Sequence, residues 1–276
     1  MEVLPPKKDG NIETVYNTLD ELKELKPDFI SVTYGAGGSS NCTNTLNIAS
    51  RIKNVCGVES VVHLPGINMT KDQAASVLEQ FKSAGVKNIL ALRGDRVDGV
   101  EPGNDFNRAD QLIKFIRQWD TENQFKIYAA CYPELHPESQ DIFQDIDALK
   151  SKEESGASHF LSQLFFDNEK FYRFVERARL KGVQSPLEAG IMPVTNKKGI
   201  ERMVALTNAE LPKKFTRMMD RFGDSPEAIR DAGIAYAIDQ IVDLVTNGVE
   251  GIHLYTMNNP YIAKRINEAV RSLFGE

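Results

Sequence analysis

Apolar residues along this chain fall into two alternating kinds of pattern. Short continuous runs occur at residues 2–4, 29–33, 60–64, 88–92, 125–131, 159–163, 187–191 and 251–255. Runs of this length, rich in Val, Ile, Leu and Phe, predict strands buried on both faces. Between them the apolar residues are spaced three and four apart. Ile12, Val15, Leu19, Leu22 and Leu25 show this spacing and predict a helix over 11–25. Further helices are expected over 43–55, 70–84, 109–119, 141–155 and 169–180. Thr70 is the expected N-cap of the third. Two or three more, around 199–207, 212–222 and 226–247, precede the last strand, and a final helix covers 261–273.

Eight strands, each followed by helix and none by a hairpin turn, must pair in parallel through right-handed crossovers. Over 276 residues, eight such units favour a closed barrel above an open doubly wound sheet. The expectation is an α/β protein, a (β/α)8 TIM barrel in a single domain over residues 1–276, with extra helices before the last strand.

Composition narrows the function classes. A hydrophobic fraction of 41% with 26% charged residues is that of an ordinary globular protein. The net charge of -6 argues against a nucleic-acid partner, though a local basic patch for phosphates is compatible with it. Cys42, Cys56 and Cys131 give neither a disulfide framework nor a zinc spacing, so a reducing cytoplasm is the expected compartment. No apolar run approaches the ~18 residues of a membrane span. The opening MEVLPPKK is expected to carry no signal peptide and to begin inside a short first strand.

On a barrel of this class, chemistry gathers at the C-terminal strand ends and the loops that follow. Glu2 lies in the first strand; a carboxylate there serves as a general acid when burial raises its pKa, or is simply a solvated charge. Thr33 and Tyr34 precede a glycine-rich turn, GAGG at 35–38, which lacks the spacing of a dinucleotide fingerprint. His63 is either a core histidine or a strand-end ligand. Arg93, Gly94 and Asp95 end the fourth strand. They can offer charge to a cofactor and an acceptor to a substrate ring, or pair with each other. The fifth strand runs into YPELHPE at 132–138. Two prolines stiffen that loop, so Tyr132 and His136 are held cheaply and suit a planar cofactor. On the next helix Asp145, Ala148 and Lys152 share a face, where Lys152 either meets a phosphate or is solvated. Gln163 can both donate and accept at a heterocycle edge, or satisfy backbone. The four histidines sit on different strands and loops, giving no metal set and no nucleophilic triad.

Taken in order, EVLPPK at 2–7, SVTYGA at 31–36, HL at 63–64, ALRGD at 91–95, ACYPELHPE at 130–138, QLFFD at 163–167, GIMPVTN at 190–196 and LYTMN at 254–258 resemble the methylenetetrahydrofolate reductase family. The resemblance covers nearly the whole chain; its most specific parts are the YPELHP stretch and the RGD strand end. It implies a flavin barrel enzyme in one-carbon metabolism and methionine supply. FAD would take hydride from NADH or NADPH and pass it to methylenetetrahydrofolate, with both substrates using one flavin face in turn. It implies Glu2 as the general acid and Asp95 as a second catalytic group near flavin and pterin. It implies FAD binding by Thr33, His63, Arg93, Gly94, Asp95, Ala109, Tyr132, His136, Asp145 and Lys152. Gln163 would contact the folate and the nicotinamide.

Two positions depart from the family pattern. Asn259 stands where relatives carry a basic residue that pairs with the folate's acidic tail; as the substrate-binding position here it implies tail recognition that is weaker or moved elsewhere. Ser151 replaces a basic neighbour of Lys152, thinning the charge for FAD phosphates. The family includes homo-oligomers and members with an electron-donating protein subunit. Two other readings stay open, a flavin-free barrel pterin methyltransferase or lyase and a non-catalytic folate- or flavin-binding partner subunit.

Overall fold

In the computed structural model, residues 1–6, 10–34, 39–95, 105–207 and 209–275 are described. Eight strands form one sheet in sequence order. They are β1 (Glu2–Val3), β2 (Phe29–Val32), β3 (Glu59–Pro65), β4 (Asn88–Leu92), β5 (Lys126–Cys131), β6 (His159–Ser162), β7 (Leu187–Ile191) and β8 (Ile252–Leu254). The helices between them are α1 (Ile12–Leu22), α2 (Ser39–Asn54), α3 (Lys71–Ser83), α4 (Ala109–Trp119), α5 (Ile142–Glu154) and α6 (Asn168–Leu180). Three helices, α7 (Lys197–Thr207), α8 (Lys213–Phe222) and α9 (Pro226–Thr246), separate β7 from β8, and α10 (Pro260–Val270) follows. The fold is the expected (β/α)8 barrel with extra helices before the last strand.

The chain packs as two compact units, residues 1–130 with 151–160, and residues 131–150 with 161–276. In the first, parallel pairing sets Glu2 against Ser31, Val61 against Asn88, and His63 against Leu90. Val3, Ile30, Val32, Val61, Val62, Leu64, Ile89 and Ala91 are fully buried, which explains why these strands read as continuous apolar runs. The two-residue β1 is anchored beyond its ends: Ser31 N donates to Met1 O at 2.7 Å and Thr33 N to Val3 O at 3.1 Å. Helix α3 starts with a full capping box, Thr70 accepting from Gln73 N while Gln73 accepts from Thr70 N.

In the second unit β7 pairs with β8 in parallel, Gly190 opposite His253. Leu164, Phe166, Met192, Val194, Ile200, Phe215, Met219 and Ile229 form one buried cluster. It joins the exits of β6 and β7 to α7, α8 and α9. Phe166 packs on Phe215 with ring centroids 4.6 Å apart, and Phe215 meets the Tyr236 ring edge-on at 5.0 Å. The extra helices are therefore part of a core that supports two strand exits.

Several boundaries differ from the expected ones. Helix α2 begins at Ser39, four residues before the apolar spacing starts, because a helix's first turn needs no apolar residue. The expected helix over 11–25 closes as a 3-10 turn, Lys23–Leu25, with Lys26 left-handed at φ 50°. The glycine-rich turn at 35–38 and residues 96–104 of the polar loop after Asp95 lie outside the described residues.

Candidate functional site

In the first unit the expected residues sit at the ends of β1 to β4. Glu2 and His63 come together, with Glu2 Oε2 3.4 Å from His63 Nε2 and side chains only 13% and 10% exposed. The contact lacks hydrogen-bond geometry, and among the described residues the buried Nε2 has no hydrogen-bond partner. Backbone pairing produces the approach: β1 binds β2, β2 binds β3, and Glu2 and His63 are carried on strands one apart in the sheet. Thr33 follows β2, and its carbonyl accepts from the Thr45 hydroxyl at 3.1 Å.

The turn after β4 is specific to glycine. Gly94 has φ +88°, and a Cβ there would lie 2.7 Å from Pro65 Cβ and 3.3 Å from Ile67 Cγ2. The turn is tied to the loop after β3 by Gly66 N to Leu92 O at 3.0 Å and Ile67 N to Arg93 O at 2.7 Å. Arg93 Nε donates to Gly94 O at 3.2 Å, and Asp95 is exposed at the end of the turn. Ala109 opens α4 and is buried. Lys152 Nζ donates to Ala130 O at 2.8 Å, at the end of β5. Its neighbour Ser151 donates to Asp110 Oδ2 at 2.8 Å. Ser151 thus ties α5 to α4.

The second unit holds the loop after β5. Tyr132 and His136 meet edge to face at 4.6 Å, their planes 86° apart. His136 Nδ1 accepts from Glu138 N at 3.1 Å, which leaves the ring proton on Nε2 as a donor. Asp145 acts on this loop from α5. One carboxylate oxygen accepts from His136 N at 2.8 Å, and the other accepts a close hydrogen bond from the Ser139 hydroxyl. Sequence reasoning grouped Asp145 with Lys152 by helical spacing; the partner Ser139 carried no such signal.

Glu134, in the same loop, was also missed. It is partly buried, and its carboxylate accepts from Glu210 N at 3.1 and 3.3 Å. Burial pushes its pKa up. Lys170 pairs with Glu210 at 2.8 Å, which raises the lysine's pKa. This set fastens the loop after β5 to the segment between α7 and α8.

Gln163 leaves β6 with its backbone N bonded to Cys131 O at 2.8 Å and its side-chain Oε1 accepting from Leu164 N at 2.9 Å. The loop after β8 is strained: Met257 and Asn258 both have positive φ, 50° and 56°. Asn259 ends that turn as the N-cap of α10, accepting from Ile262 N at 3.3 Å. Its amide oxygen is engaged in starting a helix, a task a basic side chain does not perform.

The sequence model of a family described as Methylenetetrahydrofolate reductase matches residues 1–271. The chain is 34% identical over 266 residues to 5,10-methylenetetrahydrofolate reductase of Pectobacterium carotovorum, covering 96% of this chain and 87% of that one. It is also 34% identical over 257 residues to the Escherichia coli protein of the same name, covering 93% and 85%. To Methylenetetrahydrofolate reductase (NADH) 1 of Arabidopsis thaliana it is 35% identical over 270 residues, 93% of this chain but 45% of that protein. The chain thus spans about half the length of the plant relatives it matches. Among solved structures it resembles an uncharacterized protein from Clostridium thermocellum that binds two copies of 5-methyl-5,6,7,8-tetrahydrofolic acid, with TM-score 0.67, 14% identity and coverage of 100% and 94%. It also resembles a dihydropteroate synthase of Coxiella burnetii, with TM-score 0.53, 12% identity and coverage of 100% and 92%. At such identities these two likenesses bear on the fold alone.

Proposed function

The chain belongs to the methylenetetrahydrofolate reductase family, and from that premise we propose that it reduces 5,10-methylenetetrahydrofolate to 5-methyltetrahydrofolate with FAD as cofactor and NADH or NADPH as donor. The observation that carries this is the Glu2–His63 contact at 3.4 Å, a nearly buried carboxyl at the strand end where this reduction needs a proton donor.

The residues present fit a flavin. In the first unit Gly94, at φ +88° with Pro65 and Ile67 packed where a Cβ would lie, fixes the strand-end turn that carries Arg93 and Asp95. His63 Nε2 is a buried polar atom without a hydrogen bond among the described residues. In the second, His136 presents Nε2–H from a stiffened loop with Tyr132 against it. We assign FAD binding to Thr33, His63, Arg93, Gly94, Asp95, Ala109, Tyr132, His136, Asp145 and Lys152.

When bound, the flavin would carry hydride from the nicotinamide to the folate in two successive half-reactions. The protein's own part is different. Glu2 delivers the proton that lets the five-membered ring of the folate open, its Oε2 lying 3.4 Å from His63 Nε2. Asp95, exposed on the turn after β4, stabilises positive charge developing on the pterin. Gln163 offers a side-chain donor to the pterin or the nicotinamide. Asn259, already committed to its helix, leaves the folate's acidic tail without an ion pair at that position.

The plant relatives' names specify NADH, which makes NADH the first donor to try. A cytoplasmic location, with either a homo-oligomer or an electron-donating protein subunit as partner, belongs to the same proposal. Among the described residues no helix is long and apolar enough to cross a membrane, and Cys56 and Cys131 form no disulfide. The test is an anaerobic spectrum of the purified protein. It should be yellow, bleach with NADH or NADPH, and recover its colour on adding methylenetetrahydrofolate. A protein that cannot be loaded with FAD overturns the reading. A loaded protein that is bleached only by a reduced partner protein replaces the donor and keeps the rest.

A further inference from the structure

Gln163 is held by a brace that reaches, through its neighbour Ser162, to β7 and to the residue after β8. Ser162, fully buried, uses both of its oxygens. Its hydroxyl donates to Gln163 O at 2.9 Å and accepts from Gly190 N at 2.9 Å. Its carbonyl accepts from the Tyr255 hydroxyl at 2.7 Å. Tyr255 follows β8 and reaches Ser162 on β6 by passing over Gly190 on β7. A Cβ on Gly190 would lie 2.3 Å from Ser162 O, 2.8 Å from Tyr255 Cε2 and 3.0 Å from its hydroxyl. The glycine is therefore the opening through which the phenol crosses the sheet.

We propose that Tyr255 is a positioning residue for Gln163, acting through the Ser162 peptide. The brace fixes the peptide that leads into Gln163, while Leu164 N holds the side-chain oxygen at 2.9 Å. With Oε1 turned toward Leu164 N, the Gln163 Nε2 is the atom left to meet a ligand. The position selects a hydrogen-bond acceptor, such as the carbonyl oxygen or ring nitrogen of a planar amide heterocycle. The phenol keeps that donor on a fixed line. This rests on the folate reductase reading above and adds to it a residue that does not touch the substrate.

The experiment is a double-mutant cycle in the FAD-loaded enzyme, using Tyr255→Phe, Gln163→Ala and both together. The readout is kcat/KM for methylenetetrahydrofolate, with FAD content and melting temperature as controls. Tyr255→Phe removes only the oxygen and should lower kcat/KM about fivefold, what one neutral hydrogen bond is worth. In the Gln163→Ala background the same change should have no further effect, since the brace then has nothing to position. Multiplying losses overturn the proposal, because a phenol that merely stabilises the barrel would act regardless of Gln163. Ser162→Ala, which removes the hydroxyl side of the brace, should show the same dependence on Gln163 and serves if Tyr255→Phe fails to fold. A wild-type enzyme that does not turn over methylenetetrahydrofolate removes the functional reading and this proposal together. An active wild type with independent losses removes only this one.

Discussion

Replacing Asp145 should loosen the loop that carries Tyr132 and His136. Its carboxylate accepts from His136 N at 2.8 Å and from the Ser139 hydroxyl. Hydrogen bonds to a charged acceptor contribute about 1.5–3 kcal/mol each when buried. Asp145 is only half-buried, so water replaces part of what Asp145→Ala removes, and about 1.5–3 kcal/mol for the pair is the fair figure. If FAD must order this loop on binding, its Kd should weaken about 10- to 150-fold. Asp145→Asn keeps one oxygen for His136 N, and its NH2 can donate to Ser139, whose hydroxyl accepts as readily as it donates. That variant should lose about 1 kcal/mol or less, near fivefold. Ser139→Ala should also weaken FAD a few-fold, although it changes no proposed ligand of the cofactor. Flavin fluorescence during titration of the apoprotein reads all three, with melting curves as a control. The strap is refuted if Ser139→Ala binds FAD as wild type does while Asp145→Asn is as weak as Asp145→Ala. That pattern would mean that Asp145 serves FAD by its own charge and not through the loop it holds.

Other outcomes follow from the same geometry. Glu2→Gln keeps size but cannot give up a proton as a carboxylic acid does; the folate-dependent half-reaction should slow about 10²- to 10⁴-fold, and bleaching by NADH should be unchanged in stopped flow. Gly94→Ala forces φ +88° on an L side chain and sets its Cβ 2.7 Å from Pro65 Cβ; a loss of at least ~1–2 kcal/mol is expected in urea unfolding, together with weaker FAD binding. The Tyr172 and Tyr236 phenols are both pushed up to about 12, chiefly by burial, with Asp243 adding to the shift at Tyr172. A raised phenol pKa favours the neutral ring in the fold. Its stabilising contribution is whole below pH 10 and is lost as pH rises through about 12. An ultraviolet titration should show Tyr172 and Tyr236 ionising late, and each Phe variant should remove one late-ionising group.

The strands were legible because parallel strands covered on both faces must be apolar throughout, as at Val61–Val62 and Ile89–Leu90, where no polar face interrupts the run. The same physics hid the strand limits. β8 spans only Ile252–Leu254, while the apolar run continues to Tyr255, whose ring is apolar for a different reason: it crosses Gly190 to reach a carbonyl. Residue types could suggest which strand ends hold chemistry, because ionisable and ring-bearing residues are costly there without a purpose. They could not supply partners. Tyr255 and Ser162 are 93 residues apart, and Glu134 and Glu210 are 76 apart; no local period connects either pair. Asn259 shows the other limit. Against a family pattern it reads as a lost charge, a deficit in ligand binding. In the fold it is the residue that stops a turn with two positive φ values and starts α10 by accepting from Ile262 N. Asparagine is among the best side chains for that task and a basic side chain is not. The departure from the family pattern is therefore also a local solution to a backbone problem. Any gain in binding an acidic tail from a basic residue at this position has to exceed the cost of an uncapped helix, about 1 kcal/mol.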